Sequence, residues 1–76
     1  MKYYVVKLLT NTAGQDSSSI SVFETHDAAL VNYHNTLASF YNAEDVLYAV
    51  VMIVNEYGNV EIKEIVNHKS EPEPNE

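Results

Sequence analysis

Three histidines, His26, His34 and His68, and three consecutive hydroxyls, Ser17, Ser18 and Ser19, are the side chains with the most chemistry to offer. Two histidines on one helix share a metal only when both reach the same ion. His26 and His34 stand about 12 Å apart along a helix axis, so no ion bridges them directly. His34 borders an apolar stripe and reads as a packed or partly exposed imidazole. Asp27 beside His26 could orient a base for a serine nucleophile. An activated serine also needs that base within hydrogen-bonding reach, and no strand-turn-helix nucleophile elbow is present. The three serines read instead as a loop entering an edge strand.

Gly14 and Gly58 cannot form a phosphate-cradling loop, and no acidic motif resembles a calcium loop. Glu44, Asp45, Glu56, Glu61 and Glu64 are spread over turns and a hairpin, as solvated carboxylates are. The expectation is a chain with no catalytic residue, no metal and no cofactor. Six tyrosines and eight asparagines remain, with no tryptophan. That combination suits adaptable recognition of polar aromatic ligands or protein surfaces. Tyr33 and Tyr41 are assigned to a helix-sheet core. Tyr3, Tyr48 and Tyr57 are freer to line a surface, and Lys7, Lys63 and Asn35 join them as the expected ligand residues.

The elements that must position these residues follow from periodicity. Residues 2 to 9 alternate as a strand, with Tyr4, Val6 and Leu8 on a core-like face and Tyr3, Val5, Lys7 and Leu9 on a mixed one. A polar run over residues 10 to 16 leads to a second strand over residues 18 to 24, and the two read as a hairpin. Its loop exceeds the favoured two residues, so its register is weakly specified. Thr25 is a good N-cap for a helix from His26, with Asp27 in its first turn. Leu30, Tyr33, Leu37, Phe40 and Tyr41, with Ala29 and Ala38, form one apolar stripe. The helix ends near residues 41 to 43, with Asn42 as a left-handed cap.

Residues 46 to 54 are dense in β-branched side chains and apolar on both faces, marking the central strand. A turn over residues 55 to 59, with Gly58 at positive φ, leads to a last strand over residues 60 to 66. The predicted fold class is α+β: a ββαββ chain with a four-stranded, mostly antiparallel sheet and one helix on one face. There is no repeat or second domain. Residues 1 to 67 form the domain, and residues 68 to 76 an acidic, proline-containing disordered tail.

One helix covers one sheet face only, which leaves either Val46, Tyr48, Val50, Met52 and Val54 or Leu47, Ala49, Val51 and Ile53 without a cover. Such a patch is costly to leave in water. A homo-oligomer is therefore expected, and Val5, Phe23, Leu47, Val51 and Ile53 are taken as the interface.

Composition narrows the partners. A chain of 76 residues has room for one modest core, and with 46% hydrophobic and 20% charged residues it folds. It has no cysteine, so neither a disulfide nor a thiolate metal site compensates for that small core. The formal net charge of -7 disfavours direct nucleic-acid binding and anionic membranes. The N-terminus lacks the features of a signal peptide, and the longest apolar run is about half a membrane span. A cytoplasmic location is expected.

The opening Met1-Lys2-Tyr3-Tyr4-Val5-Val6-Lys7, the helix start Asp27-Ala28-Ala29-Leu30 with Tyr33-His34, and the turn Asn55-Glu56-Tyr57-Gly58-Asn59 together resemble a group of short proteins of unknown function from Gram-positive bacteria and their phages and prophages. The resemblance covers most of residues 1 to 67 and implies a mobile-element setting, with no chemistry attached. In that setting the first expectation is an anti-defence protein, an oligomeric sponge that sequesters a nucleotide immune signal. Tyrosines would stack on the base, with Lys2, Lys7, Lys63 or Lys69 on phosphate. The alternatives are an acidic inhibitor covering a basic, nucleic-acid-binding surface of a host defence enzyme, and a structural or assembly accessory of a phage particle.

Overall fold

The two hairpins that begin and end the chain owe their shape to the same five-residue device. In the computed structural model, which describes residues 1–68, strand β1 (Tyr3–Asn11) turns into β2 (Asp16–Phe23), and β3 (Val46–Asn55) turns into β4 (Val60–Asn67). At the first turn the Asn11 side-chain Oδ1 accepts from the Ala13 and Gln15 N–H groups at 3.0 and 2.9 Å. At the second, Asn55 Oδ1 accepts from Tyr57 and Asn59 at 2.9 and 3.1 Å. Each asparagine also donates its backbone N–H to the last loop residue, Asn11 to Gln15 and Asn55 to Asn59, and its carbonyl accepts from Gly14 or Gly58. Both glycines sit at positive φ, 85° and 86°, where an L side chain is strained.

This shared Asn-x-x-Gly-x turn is an internal similarity that the sequence reading did not register. It also removes the expected looseness of the first hairpin: β2 pairs with β1 from Thr10–Asp16 to Tyr3–Phe23 without a shift. The asparagine side chain does the work that a two-residue loop does elsewhere.

Between the hairpins lies α1 (His26–Asn42). Thr25 caps it as expected, its side-chain oxygen accepting from the Ala28 N–H at 3.1 Å. Its other end differs from expectation. Among the described residues no non-glycine has positive φ, and the C-cap is Ala43 in an extended conformation, its N–H bonded to the Phe40 carbonyl. Asn42 is still helical, so the chain passes straight into β3 without a left-handed residue.

The sheet order is β2-β1-β3-β4 and all three pairings are antiparallel. β2 and β3 run parallel with β1 between them, so α1 must cross over β1 to join them, and this fixes the helix to one face. The core is formed there by Val5, Ala29, Tyr33, Leu37, Val46, Ala49, Val51, Ile53 and Val66. Ala29 and Ala49 are fully buried. Each side chain is small enough to let helix and sheet approach closely where it lies.

The register identifies the covered face, and it is the one the sequence reading had left open. Val5 pairs with Ile53, Leu9 with Ala49 and Ala49 with Val66, so odd-numbered residues of β1 and β3 face the helix. Val5, Val51 and Ile53 have no exposed surface, and Phe23 packs against the core. At the shift that pairs Asn11 with Val46 the alternation breaks: Val46 enters the core and Leu47, skipped by the ladder, is half-buried. The interface expected at Val5, Phe23, Leu47, Val51 and Ile53 is therefore corrected for Val5, Phe23, Val51 and Ile53, which pack under the helix. Tyr41 is corrected in the opposite direction. It is 51% exposed and lies at the core's edge, where its hydroxyl donates to Glu64 Oε2 at 3.3 Å.

Candidate functional site: the open sheet face

With the odd-numbered residues assigned to the helix, the even-numbered ones of β1 and β3 face away from it. Tyr4, Val6 and Leu8 of β1 stand beside Val50, Met52 and Val54 of β3. β2 extends this surface with Ile20 and Val22, and β4 with Val60 and Ile65. The edge residues are the most accessible: Ile20 is 63% exposed, Val60 54% and Ile65 47%. Among the described strand residues two charged ones share the face, Lys63 opposite Met52 and Asp16 at the start of β2.

Four strands about 4.8 Å apart and some eight residues long at about 3.3 Å each span roughly 500 Å². An apolar patch of that size is at the upper end of what a soluble monomer shows, and such patches often serve function.

At one end the face becomes polar and slightly hollow. Leu8 and Val50 form the apolar side of a shallow depression of about 520 Å³, and Thr10, Asp16, Ser17, Ser18 and Tyr48 contribute its polar groups. The Thr10 hydroxyl donates to Asp16 Oδ1 at 2.7 Å, which ties together the pair nearest the hairpin loop. No lysine lines it. An acidic group with hydroxyls and a tyrosine ring suits a neutral or cationic polar ligand, and holds a phosphate poorly.

The six expected ligand residues do not converge. Tyr48 and Lys63 are on the open face. Tyr3 and Lys7 are on the helix side, where the Tyr3 ring meets the edge of His26 at 5.2 Å between centroids. Tyr57 lies in the second turn, 71% exposed, and Asn35 is exposed on the helix. The depression was missed because Thr10 and Asp16 read as loop. Their alternation with Leu8 and Ser18 was the available signal.

The histidines are dispersed as well. His26 Nε2 lies 3.1 Å from Glu61 Oε1, joining the start of α1 to β4. His34 is exposed with its ring edge against Tyr33. The His68 N–H donates to the Leu47 carbonyl at 2.8 Å and continues the last ladder. Ser18 lies five residues before the end of β2, about 17 Å of strand, while His26 follows that end. Serine and histidine thus lie at opposite ends of the sheet. Among the described residues no three His, Asp or Glu side chains are grouped to hold a metal ion. No described helix is long and apolar enough to cross a membrane. Lys69 and the acidic tail lie outside the described residues.

Two tyrosines at the helix-sheet edge have perturbed hydroxyls. Burial, then the Glu64 carboxylate, then Tyr41 push Tyr33 above the ordinary tyrosine value. Tyr41 is raised by loss of solvation, by the Glu64 charge and by its hydrogen bond to that carboxylate. Both effects belong to packing near Glu64, on the side away from the open face.

No family model, curated protein or solved structure matches this chain.

Proposed function

We propose that this chain is a non-enzymatic binding protein that pairs with a second copy through the open sheet face and sequesters a small polar ligand in the depression at the Tyr48 end. The continuous apolar face carries this reading. Two faces of roughly 500 Å² bury about 1,000 Å² together, the size at which a specific interface begins. Charge favours a copy as the occupant. A chain of formal net charge -7 meets itself most easily where it carries few charges, and this face has one lysine and one aspartate.

In the pair, the facing sheet roofs the depression and turns an open hollow into an enclosed one. The sponge reading is supported there by the Tyr48 ring and the Thr10 and Ser18 hydroxyls, which suit a base or nucleoside; the phosphate contact expected of Lys7 belongs to the other side of the sheet. The anti-defence role is carried by the resemblance alone. Light scattering coupled to size exclusion is expected to give at least twice the chain mass of 8.6 kDa. Calorimetry over a panel of nucleosides, cyclic nucleotides and ADP-ribose derivatives is expected to show heat with the uncharged nucleosides first, heat that Tyr48→Ala abolishes, and weaker binding of the phosphate-bearing members. A monomer at high micromolar concentration would overturn the pairing, and no heat across the panel would overturn the ligand.

A further inference from the structure

The two edges of the sheet are built differently. β4 carries Glu61, Lys63 and Glu64, and its ladder with β3 shifts register between Ile53 and Val54. Both features discourage an added strand, since charges would be desolvated and a bulge turns the edge out of line. β2 has neither. Residues 17 to 23 contain no charge and no proline, and they pair with β1 residue for residue without a shift. β2 ends the sheet, so its outer side presents a straight run of backbone N–H and C=O groups, the surface to which an extra strand adds.

The geometry points to β2 as a second interface, where another copy of this chain adds its own β2 antiparallel about a two-fold axis and two four-stranded sheets become one of eight strands. The occupant is a copy for the reason that applies to the open face. Over residues 17 to 23 β2 brings no like charge against itself, its carboxylates standing only at the ends, whereas β4 would set Glu61 and Glu64 against another acidic chain in mid-strand. A basic foreign strand would find carboxylates only at the two ends, Asp16 and Glu24. Edge pairing is also continuous with the open face, because it lays two such faces side by side. Two eight-stranded sheets stacked together then bury roughly 2,000 Å², the upper end of the standard range. The tetramer rests on face pairing as well as on the edge.

Ser19→Glu separates the two interfaces. Ser19 is exposed on β2 opposite Lys7, so a glutamate there gains a cross-strand partner within the monomer, while a β2–β2 pair would bring two glutamates together. Light scattering is expected to give four copies of 8.6 kDa, about 34 kDa, for the wild type and half that for S19E, with an unchanged far-ultraviolet circular dichroism spectrum. Val50→Glu, on the open face, is also expected to halve the mass, and the double variant to be monomeric. A wild-type dimer that S19E breaks and V50E leaves intact would keep the edge and remove the face. A dimer with the opposite response, or a tetramer indifferent to S19E, would overturn the edge. A monomeric wild type would overturn both. Should S19E not fold, the shorter Ser19→Asp at the same exposed position replaces it, with the same expected and refuting masses.

Discussion

Replacing Val50 by glutamate and, separately, Ile53 by glutamate puts the same charge on β3 at two positions that face opposite ways. Val50 lies between Leu8 and Ile65 on the open face, and Ile53 between Val5 and Ile62 under the helix. In a face-to-face pair, V50E removes two buried valines, each worth about 2 kcal/mol, so roughly 4 kcal/mol is lost before any charge is counted. That is about a thousandfold in the dissociation constant. Burying two unpaired carboxylates adds several kcal/mol more. The isolated fold loses at most about 1 kcal/mol, the span of strand propensities at a surface position.

For I53E the balance reverses. A fully buried isoleucine is lost and a carboxylate enters a dry core with no cation paired across from it. The cost of several kcal/mol is comparable to the whole stability of a domain this size, about 4 to 11 kcal/mol. Light scattering and far-ultraviolet circular dichroism are the assays. V50E should be folded with a lowered mass, and I53E should be largely unfolded. A folded, dissociated I53E together with an unfolded V50E would show that the covered and open faces have been exchanged. An unchanged mass for V50E would refute pairing through this face.

The twin turns make a matched prediction: Gly14→Ala and Gly58→Ala should each cost about 1–2 kcal/mol in urea unfolding, because a Cβ there meets open space and only the left-handed backbone is penalised. Clearly unequal costs would refute the equivalence of the turns. Stability should also fall under alkaline conditions. The folded-state hydroxyls of Tyr33 and Tyr41 are raised, so their contribution is complete below the unfolded value of about 10 and is lost as pH rises through the folded values. Tyr41→Phe should make this loss shallower in urea midpoints between about pH 9 and about pH 11, and an identical profile would refute the assignment.

Much of the fold was legible in the residues themselves. Alternation in β1, the Thr25 cap and Gly58 each act locally, and the strand, the helix start and the turn they predict are all in the structure, although β1 buries the face that looked mixed. The choice of covered face was not legible, for two physical reasons. β3 is apolar on both sides, so it carries no preference. Lys7 makes its side of β1 look solvated, yet it shares that side with fully buried Val5 and is itself only partly exposed. A long lysine stem lies along apolar surface while its ammonium reaches water, so one lysine does not mark a solvent face. Ala49 was the more informative residue, because a small side chain in a strand of valines marks where a helix comes close. The candidate site was less legible still. It depends on which face is open and on residues 10 and 16 being paired strand, and both are consequences of tertiary register.

The crossover that places α1 on one face also sets the order in which the molecule can assemble. Each hairpin closes over a short loop held by its own asparagine, an event of microseconds that needs nothing from the rest of the chain. The seam between them, β1 against β3, pairs Tyr3 with Asn55 and can form only after the whole helix-bearing connection has been drawn in. The chain is thus two self-sufficient ends waiting on one long closure. Until that closure is made, the valines of β3 have no helix above either side.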